Sequence, residues 1–177
     1  MIVWLNGAFG VGKTSVAECL CKEIVPAHLY DPEQVGYFLW ENFPQEMRRQ
    51  ENFQHIALWR QFNYQILKYL YDSYQGLIVA PMTIYRRAYY DEIVGELKRN
   101  GVEVRHLILS ASRRTILDRL IQRGDGEDSW AAQHIGLCLK AFEHEIPGET
   151  VDTEGKSIEK ITDEIIRRIW PDTRPMA

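Results

Sequence analysis

Cysteine is scarce: the 177 residues hold three, Cys19, Cys21 and Cys138. An odd number with one C-x-C spacing is no disulfide framework, and it lacks the paired Cys/His spacing of a zinc site. The three are expected as packing residues in a reducing compartment. The five histidines stand at no ligand spacing either. Basic excess is also missing. Twenty-one Lys and Arg against 25 Asp and Glu leave a net charge of -4, so a nucleic-acid partner drops in rank. No apolar run approaches the ~18 residues of a membrane span. The opening Met1–Leu5 has neither the basic flank nor the length of a signal peptide. A cytoplasmic protein is the expectation. No repeat, low-complexity tract or linker interrupts the chain, so residues 1–177 are read as one domain. At 45% apolar that length suffices for one α/β domain with a full core.

What is present is an alternation of short apolar runs and helical patterns. Residues 2–6 read as a buried strand ended by glycine. Val16, Leu20 and Ile24 recur every four residues, which predicts a helix over 13–24. Leu29-Tyr30 is a second, very short strand. Asp31-Pro32-Glu33 reads as a helix start, with an N-cap Asp and Pro in the first turn. Leu58, Phe62, Ile66 and Leu70 mark a helix over 58–74. Residues 77–80 and 104–109 are two more strands, separated by a helix that stops at Asn100-Gly101. Further helices carry Ile116 and Leu120, then Ile135 and Leu139. Residues 149–152 are a fifth strand candidate, and a last helix carries Ile158 to Ile169. Repeated β-α units argue for a parallel sheet covered on both faces. Ligands of such sheets bind beyond the carboxyl ends of the strands.

Gly7-Ala8-Phe9-Gly10-Val11-Gly12-Lys13-Thr14 fits G-x-x-x-x-G-K-[ST] without a gap. Its glycines let successive backbone N–H groups face phosphate oxygens, and the helix that follows adds its positive dipole end. In that pattern Lys13 reaches the β- and γ-phosphates, and the Thr14 hydroxyl ligates Mg2+. Ser15 continues the first turn. By composition the pattern arises by chance about once in 30,000 positions, and here it also has a strand before it and a helix after it. ATP with Mg2+ is therefore the expected cofactor pair. The loop is shared by kinases, GTPases and ATP-driven switches. The base-reading N-K-x-D of GTPases is missing, and the chain is small for a motor or transporter, which leaves a small phosphotransferase. The run 77–80 ends in Pro81-Met82-Thr83 rather than in an acidic residue, so the usual second magnesium ligand is not in sight.

Asp31 ends the second strand, beside the phosphate loop in a parallel sheet. A carboxylate there can accept the proton of an attacking hydroxyl; it can also simply cap the next helix. Arg119 and Arg123 lie four apart and share a helix face. With the Gly124–Ser129 stretch they suit a lid, about 118–135, that closes over ATP; a solvated basic face is the alternative. Trp59, Arg60, Phe62, Asn63 and Tyr64 read as an acceptor pocket, with Arg60 for an anionic group, or as core aromatics beside a surface Arg. Thr83 and Arg86 follow the third strand and are candidates for the substrate side.

Taken together these pieces resemble the tunicamycin-resistance protein family, within the P-loop kinases related to nucleoside monophosphate kinases, shikimate kinase and chloramphenicol phosphotransferase. The resemblance runs through the phosphate loop, Tyr30-Asp31-Pro32-Glu33, Pro44-Gln45-Glu46, Leu58-Trp59-Arg60, Phe62-Asn63-Tyr64, Pro81-Met82-Thr83, Ser129-Trp130-Ala131-Ala132 and Pro171-Asp172-Thr173-Arg174. It implies a doubly wound five-stranded parallel sheet with helices on both faces and a helical lid. It implies Asp31 as base, Arg119 near the adenine, Arg123 near the phosphates, and Asp152–Gly155 as a loop beside the base. The implied acceptor is a hydroxyl of tunicamycin or of a UDP-sugar-like or nucleoside-like molecule. A non-catalytic antibiotic-sequestering protein and a housekeeping nucleoside or sugar kinase stand as alternatives. Family members can carry a longer C-terminal tail suggestive of membrane attachment, which raises peripheral contact with the inner membrane face. Nothing in this sequence supports that contact, and no residue pattern speaks to oligomeric state.

Overall fold

Among the described residues five short strands build one parallel sheet: β1 (Ile2–Gly7), β2 (Ala27–Leu29), β3 (Leu77–Pro81), β4 (Val104–Ser110) and β5 (Glu149–Asp152). The coordinates are a computed structural model and describe residues 1–48 and 52–171. The strand order is β2-β3-β1-β4-β5, and every pairing is parallel. Parallel strands are buried on both faces, and β1 is: all six of its residues are buried. Trp4, Leu5, Ile78, Val79 and Leu107 are fully enclosed. The Trp4 indole still finds a partner, donating to the Met82 carbonyl at 3.2 Å.

The helices are α1 (Lys13–Glu23), α2 (Glu33–Asn42), α3 (Ala57–Ser73), α4 (Arg87–Tyr90), α5 (Glu96–Arg99), α6 (Arg113–Arg123), α7 (Trp130–His144) and α8 (Ile158–Ile169). They cover both faces of the sheet, with α1 against α8, α2 against α3 and α6 against α7. Serine caps set three of the starts. The hydroxyls of Ser112, Ser129 and Ser157 accept backbone N–H groups of Thr115, Ala132 and Lys160, as N-caps do. The Ser129-Trp130-Ala131-Ala132 element is thus the capped first turn of α7. Gly124, with φ of 97°, ends α6.

Three expectations are corrected. The second strand is Ala27–Leu29 rather than Leu29-Tyr30. The single helix read before Asn100 is two short α-helices joined by a π-helical turn, Asp91–Gly95. Most important, β3 lies between β1 and β2. Asp31 is therefore two strands from the phosphate loop, not on the neighbouring strand. Asp172, Thr173 and Arg174 lie outside the described residues.

Candidate active site

The phosphate loop links β1 to α1 and is stapled from behind. The buried Asn6 side chain accepts from the Gly7 and Ile84 amides, both at 2.9 Å, and donates to the Ile84 carbonyl. The Thr83 hydroxyl donates to the Gly7 carbonyl at 2.8 Å. These bonds fasten the loop to the segment after β3. His106 supports Asn6 in turn. Its Nε2 lies 3.2 Å from the Asn6 amide and its Nδ1 lies 2.6 Å from the Pro147 carbonyl. Donation to Pro147 assigns the Nδ1–H tautomer of a neutral ring, and burial holds its pKa down to about 4.

Gly10 shows why glycine is needed. Its φ is +84°, and an added Cβ would sit 2.7 Å from the Leu120 Cγ of α6. Left-handed backbone and close approach both exclude a side chain there. At the start of α1, Gly12 offers no side-chain cap. The first amides of a helix have no intrahelical carbonyl to meet, so this end suits an anion.

Two clefts meet at the loop. The larger, of about 580 Å3, is lined by Gly10 through Ser15, Arg119, Gln122 and Arg123 on one side and by Lys156 to Ile158 and Ile161 on the other. The smaller, of about 300 Å3, is lined by Phe9, Asp31, Glu33, Pro81 and Thr83, among others. Gly10, Lys13, Thr14 and Arg123 line both. The larger cleft has the uncapped helix end and the room for a nucleotide. The smaller has two carboxylates facing a lysine.

The electrostatics follow from enclosure. The Lys13 ammonium donates to the Gly7 and Ala8 carbonyls at 3.1 and 3.0 Å and stands 5.7 Å from the Phe9 ring centre. Burial lowers its pKa to about 8. Glu33 is pushed above the usual carboxylate range, first by burial and then by the charge of Asp31, while Lys13 pulls the other way. Asp31 does cap α2. Its Oδ1 accepts from the Glu33 amide at 2.9 Å and its Oδ2 from the Gln34 side chain at 3.0 Å.

A family model described as an AAA domain matches residues 2–143. The chain belongs to the AAA domain family. Among curated proteins none matches. Among solved structures, the tunicamycin resistance protein of Deinococcus radiodurans superposes with a TM-score of 0.79 at 22% identity, covering 95% of this chain and 94% of that one. A sugar kinase from Janibacter sp. gives 0.67 at 16% identity, over 98% and 95% of the two chains. A shikimate kinase from Bacteroides thetaiotaomicron gives 0.59 at 14%, over 96% and 98%. This AAA domain therefore has the P-loop kinase-like fold.

In this AAA domain most of the residues expected at the site line the two clefts. Val11, Gly12, Ser15 and Arg119 line the larger, Phe9, Asp31 and Thr83 the smaller, and Gly10, Lys13, Thr14 and Arg123 both. Gly7 and Ala8, which begin the loop, are buried and offer their carbonyls to Lys13. Arg119 donates to the Val11 carbonyl at 3.0 Å and to both the carbonyl and hydroxyl of Thr153, tying α6 to the loop after β5. Arg123 pairs with Asp125 at 2.6 Å. Arg60 and Asn63 are not brought to either cleft. The Arg60 guanidinium pairs with Glu92 at 2.7 Å, donates to the Gln54 carbonyl and lies 4.3 Å from the Tyr89 ring centre. Asn63 is fully buried and accepts from the Tyr30 hydroxyl at 2.8 Å. Arg86 is exposed beside Tyr89, away from both clefts.

Sequence reading missed Glu33, Gln122, Lys156, Ser157, Ile158 and Ile161. Glu33 had a signal, since it closes the Asp31-Pro32-Glu33 element. The other five are assembled by tertiary packing. Among the described residues no cluster of three or more His, Cys, Asp or Glu forms a metal cage. Thr14, Asp31 and Glu33 line the smaller cleft together and supply side-chain oxygens there that a magnesium ion would meet. Among the described residues no helix is long and apolar enough to cross a membrane.

Proposed function

We propose that the protein is an ATP-dependent phosphotransferase acting on a hydroxyl of tunicamycin or of a UDP-sugar-like or nucleoside-like molecule. The observation that carries this reading is the sharing of Gly10, Lys13, Thr14 and Arg123 by two clefts. A phosphoryl group at that boundary can have its donor on one side and its acceptor on the other. ATP with Mg2+ supplies the group and neutralises part of its charge.

The chain's residues do the rest. Loop amides and the α1 end hold the phosphates, and Thr14 holds the metal. Lys13 turns from the Gly7 and Ala8 carbonyls toward the β- and γ-oxygens. Arg123 exchanges Asp125 for the transferring group, where developing charge needs a donor. Arg119 fixes α6 to the Thr153 loop, beside the larger cleft. Asp31 accepts the acceptor's proton as the oxygen–phosphorus bond forms and the bond to the departing ADP oxygen breaks. Glu33 sets the field around Asp31. Residues 118–135, the α6–α7 connection with its flanks, close as a lid and exclude water. Phe9 meets Trp130 of that lid edge-on at 4.9 Å.

The test is mass spectrometry of tunicamycin incubated with the protein and Mg-ATP. A product about 80 Da heavier, the mass of one phosphoryl group, is expected with the wild type and not with Asp31→Asn. Tight binding without product would point to sequestration. Phosphorylation of simple nucleosides or sugars and not of tunicamycin would point to a metabolic kinase.

A further inference from the structure

We infer that His106 is a positioning residue for the phosphate loop: by accepting a hydrogen bond from Asn6 it sets which way the Asn6 amide faces, and through that amide the path of the chain into the loop. Asn6 stands immediately before the loop, and it is fully buried. Trp4 is in register with His106 across β1 and β4. Asn6, two residues further on, shares its face of the sheet. The inference rests on the phosphate reading of the loop for its effect on a nucleotide. It rests on the hydrogen bonds alone for the orientation of Asn6.

A side-chain amide has an oxygen at one end and an NH2 group at the other, and the two ends have nearly the same shape. Its neighbours must choose between them. The Asn6 oxygen meets the Gly7 and Ile84 amides, and its nitrogen meets the Ile84 carbonyl and His106 Nε2. Turned over, the amide would set its own NH2 against two N–H groups and leave them unpaired. His106 favours the observed orientation only while Nε2 is bare. Pro147 enforces that form, because its carbonyl takes the Nδ1 proton at 2.6 Å. The ring is held on other sides too. Tyr90 lies 5.0 Å away between ring centres, and a Cβ added at Gly148 would stand 2.8 Å from Nδ1. Lys98, Arg105 and Glu149 line one cavity with the ring. Burial, with the Lys98 charge as a smaller cause, keeps a second proton off it. An apolar residue of the same size would fill the space and leave Asn6 free to turn. With its N–H held inward by Asn6, Gly7 presents its carbonyl to Lys13 and Thr83, and the loop leaves β1 in one direction.

The test combines NMR of the full chain, labelled at the histidine ring nitrogens, with calorimetry of Mg-ADP binding. At neutral pH the wild type should show a proton on Nδ1 of His106 and none on Nε2. Asn6→Asp turns an acceptor toward Nε2, and His106 should then carry both protons at the same pH. A histidine that only fills space would not respond in this way. His106→Leu should weaken Mg-ADP about tenfold, the worth of about one hydrogen bond. Its Gly7 amide should exchange with solvent at least about tenfold faster, while the Val3 and Ile78 amides keep their protection. His106→Gln can still offer Asn6 an oxygen, and it should return both quantities to within about threefold of wild type. A proton on Nε2 in the wild type overturns the inference. So do equal losses in the Leu and Gln variants, and so does a loss of protection at Val3 and Ile78 as large as at Gly7. If the wild type binds no Mg-ADP while Gly7 exchange follows residue 106 as described, the phosphotransferase reading falls and the positioning role stands. If His106→Leu binds nucleotide and protects Gly7 as the wild type does, the positioning role falls and the phosphotransferase reading stands.

Discussion

The indole N–H of Trp59 donates to the carbonyl of Pro32 at 3.0 Å, so α3 holds in place the turn that carries Asp31 and Glu33. Trp59 is fully buried, and the bond replaces water that cannot reach either group. Trp59→Phe keeps the ring's bulk and leaves the Pro32 carbonyl unpaired. We expect a stability loss of about 1–3 kcal/mol in urea denaturation. In turnover assays kcat should fall while ATP affinity stays unchanged, because the larger cleft does not depend on this bond.

The two carboxylates of the smaller cleft should behave differently. Asp31→Asn removes the proposed proton acceptor and should lower kcat by about 10^2 to 10^4. Glu33→Gln removes a neighbouring charge and should cost only about tenfold, the effect of one charged hydrogen-bonding group. Steady-state kinetics of ADP release, with circular dichroism as a check on folding, separates the two. Equal losses would mean that the roles are not divided in this way.

Lys13 gives the site a pH signature. Burial places its pKa near 8 without nucleotide, and phosphates favour the ammonium form. Below pH 8 the charged form is already present, and binding takes up no proton there. Above pH 8 binding must protonate Lys13, so ATP affinity should fall by up to tenfold per pH unit. Calorimetry in buffers of different ionisation enthalpy should show proton uptake at pH 9 and none at pH 7. Lys13→Ala should abolish the effect together with most of the affinity.

The staple behind the loop is testable through Thr83. Thr83→Val keeps the shape and removes the bond to the Gly7 carbonyl, which still accepts from Lys13. The expected loss is about 1 kcal/mol of stability. ATP should bind a few-fold more weakly, since the freed loop must be ordered on binding. Unfolding midpoints with and without Mg-ATP measure both effects.

The phosphate loop was legible because its chemistry is contiguous: eight successive residues contain the turn, the amides and the lysine. The strands were legible to within two residues, and β1, β3 and β4 for a similar reason, since each is one apolar run bounded by turn residues. Sheet order is not local, and it was there that the reading of Asp31 went astray. The expectation put Asp31 next to the loop, whereas β3 lies between them. The carboxylate still lines the loop's cleft because α2 starts with its first turn over it. Sequence leaves Arg60 open as an anion ligand or a surface charge because its partner, Glu92, lies 32 residues away on the π-helical turn. Nothing near Arg60 in the chain announces that pairing. Lys156 and Ile161 were overlooked for the same reason: only the packing of α8 against α1 brings them to the larger cleft.

Single-turnover transfer from ATP labelled at the γ-phosphorus tests the central claim most directly. With tunicamycin present, the label should move from ATP to the organic acceptor within one turnover, and Asp31→Asn should stop it. Label that stays in ATP, or that emerges only as inorganic phosphate whether or not the acceptor is present, would contradict the claim that the two clefts share one phosphoryl group.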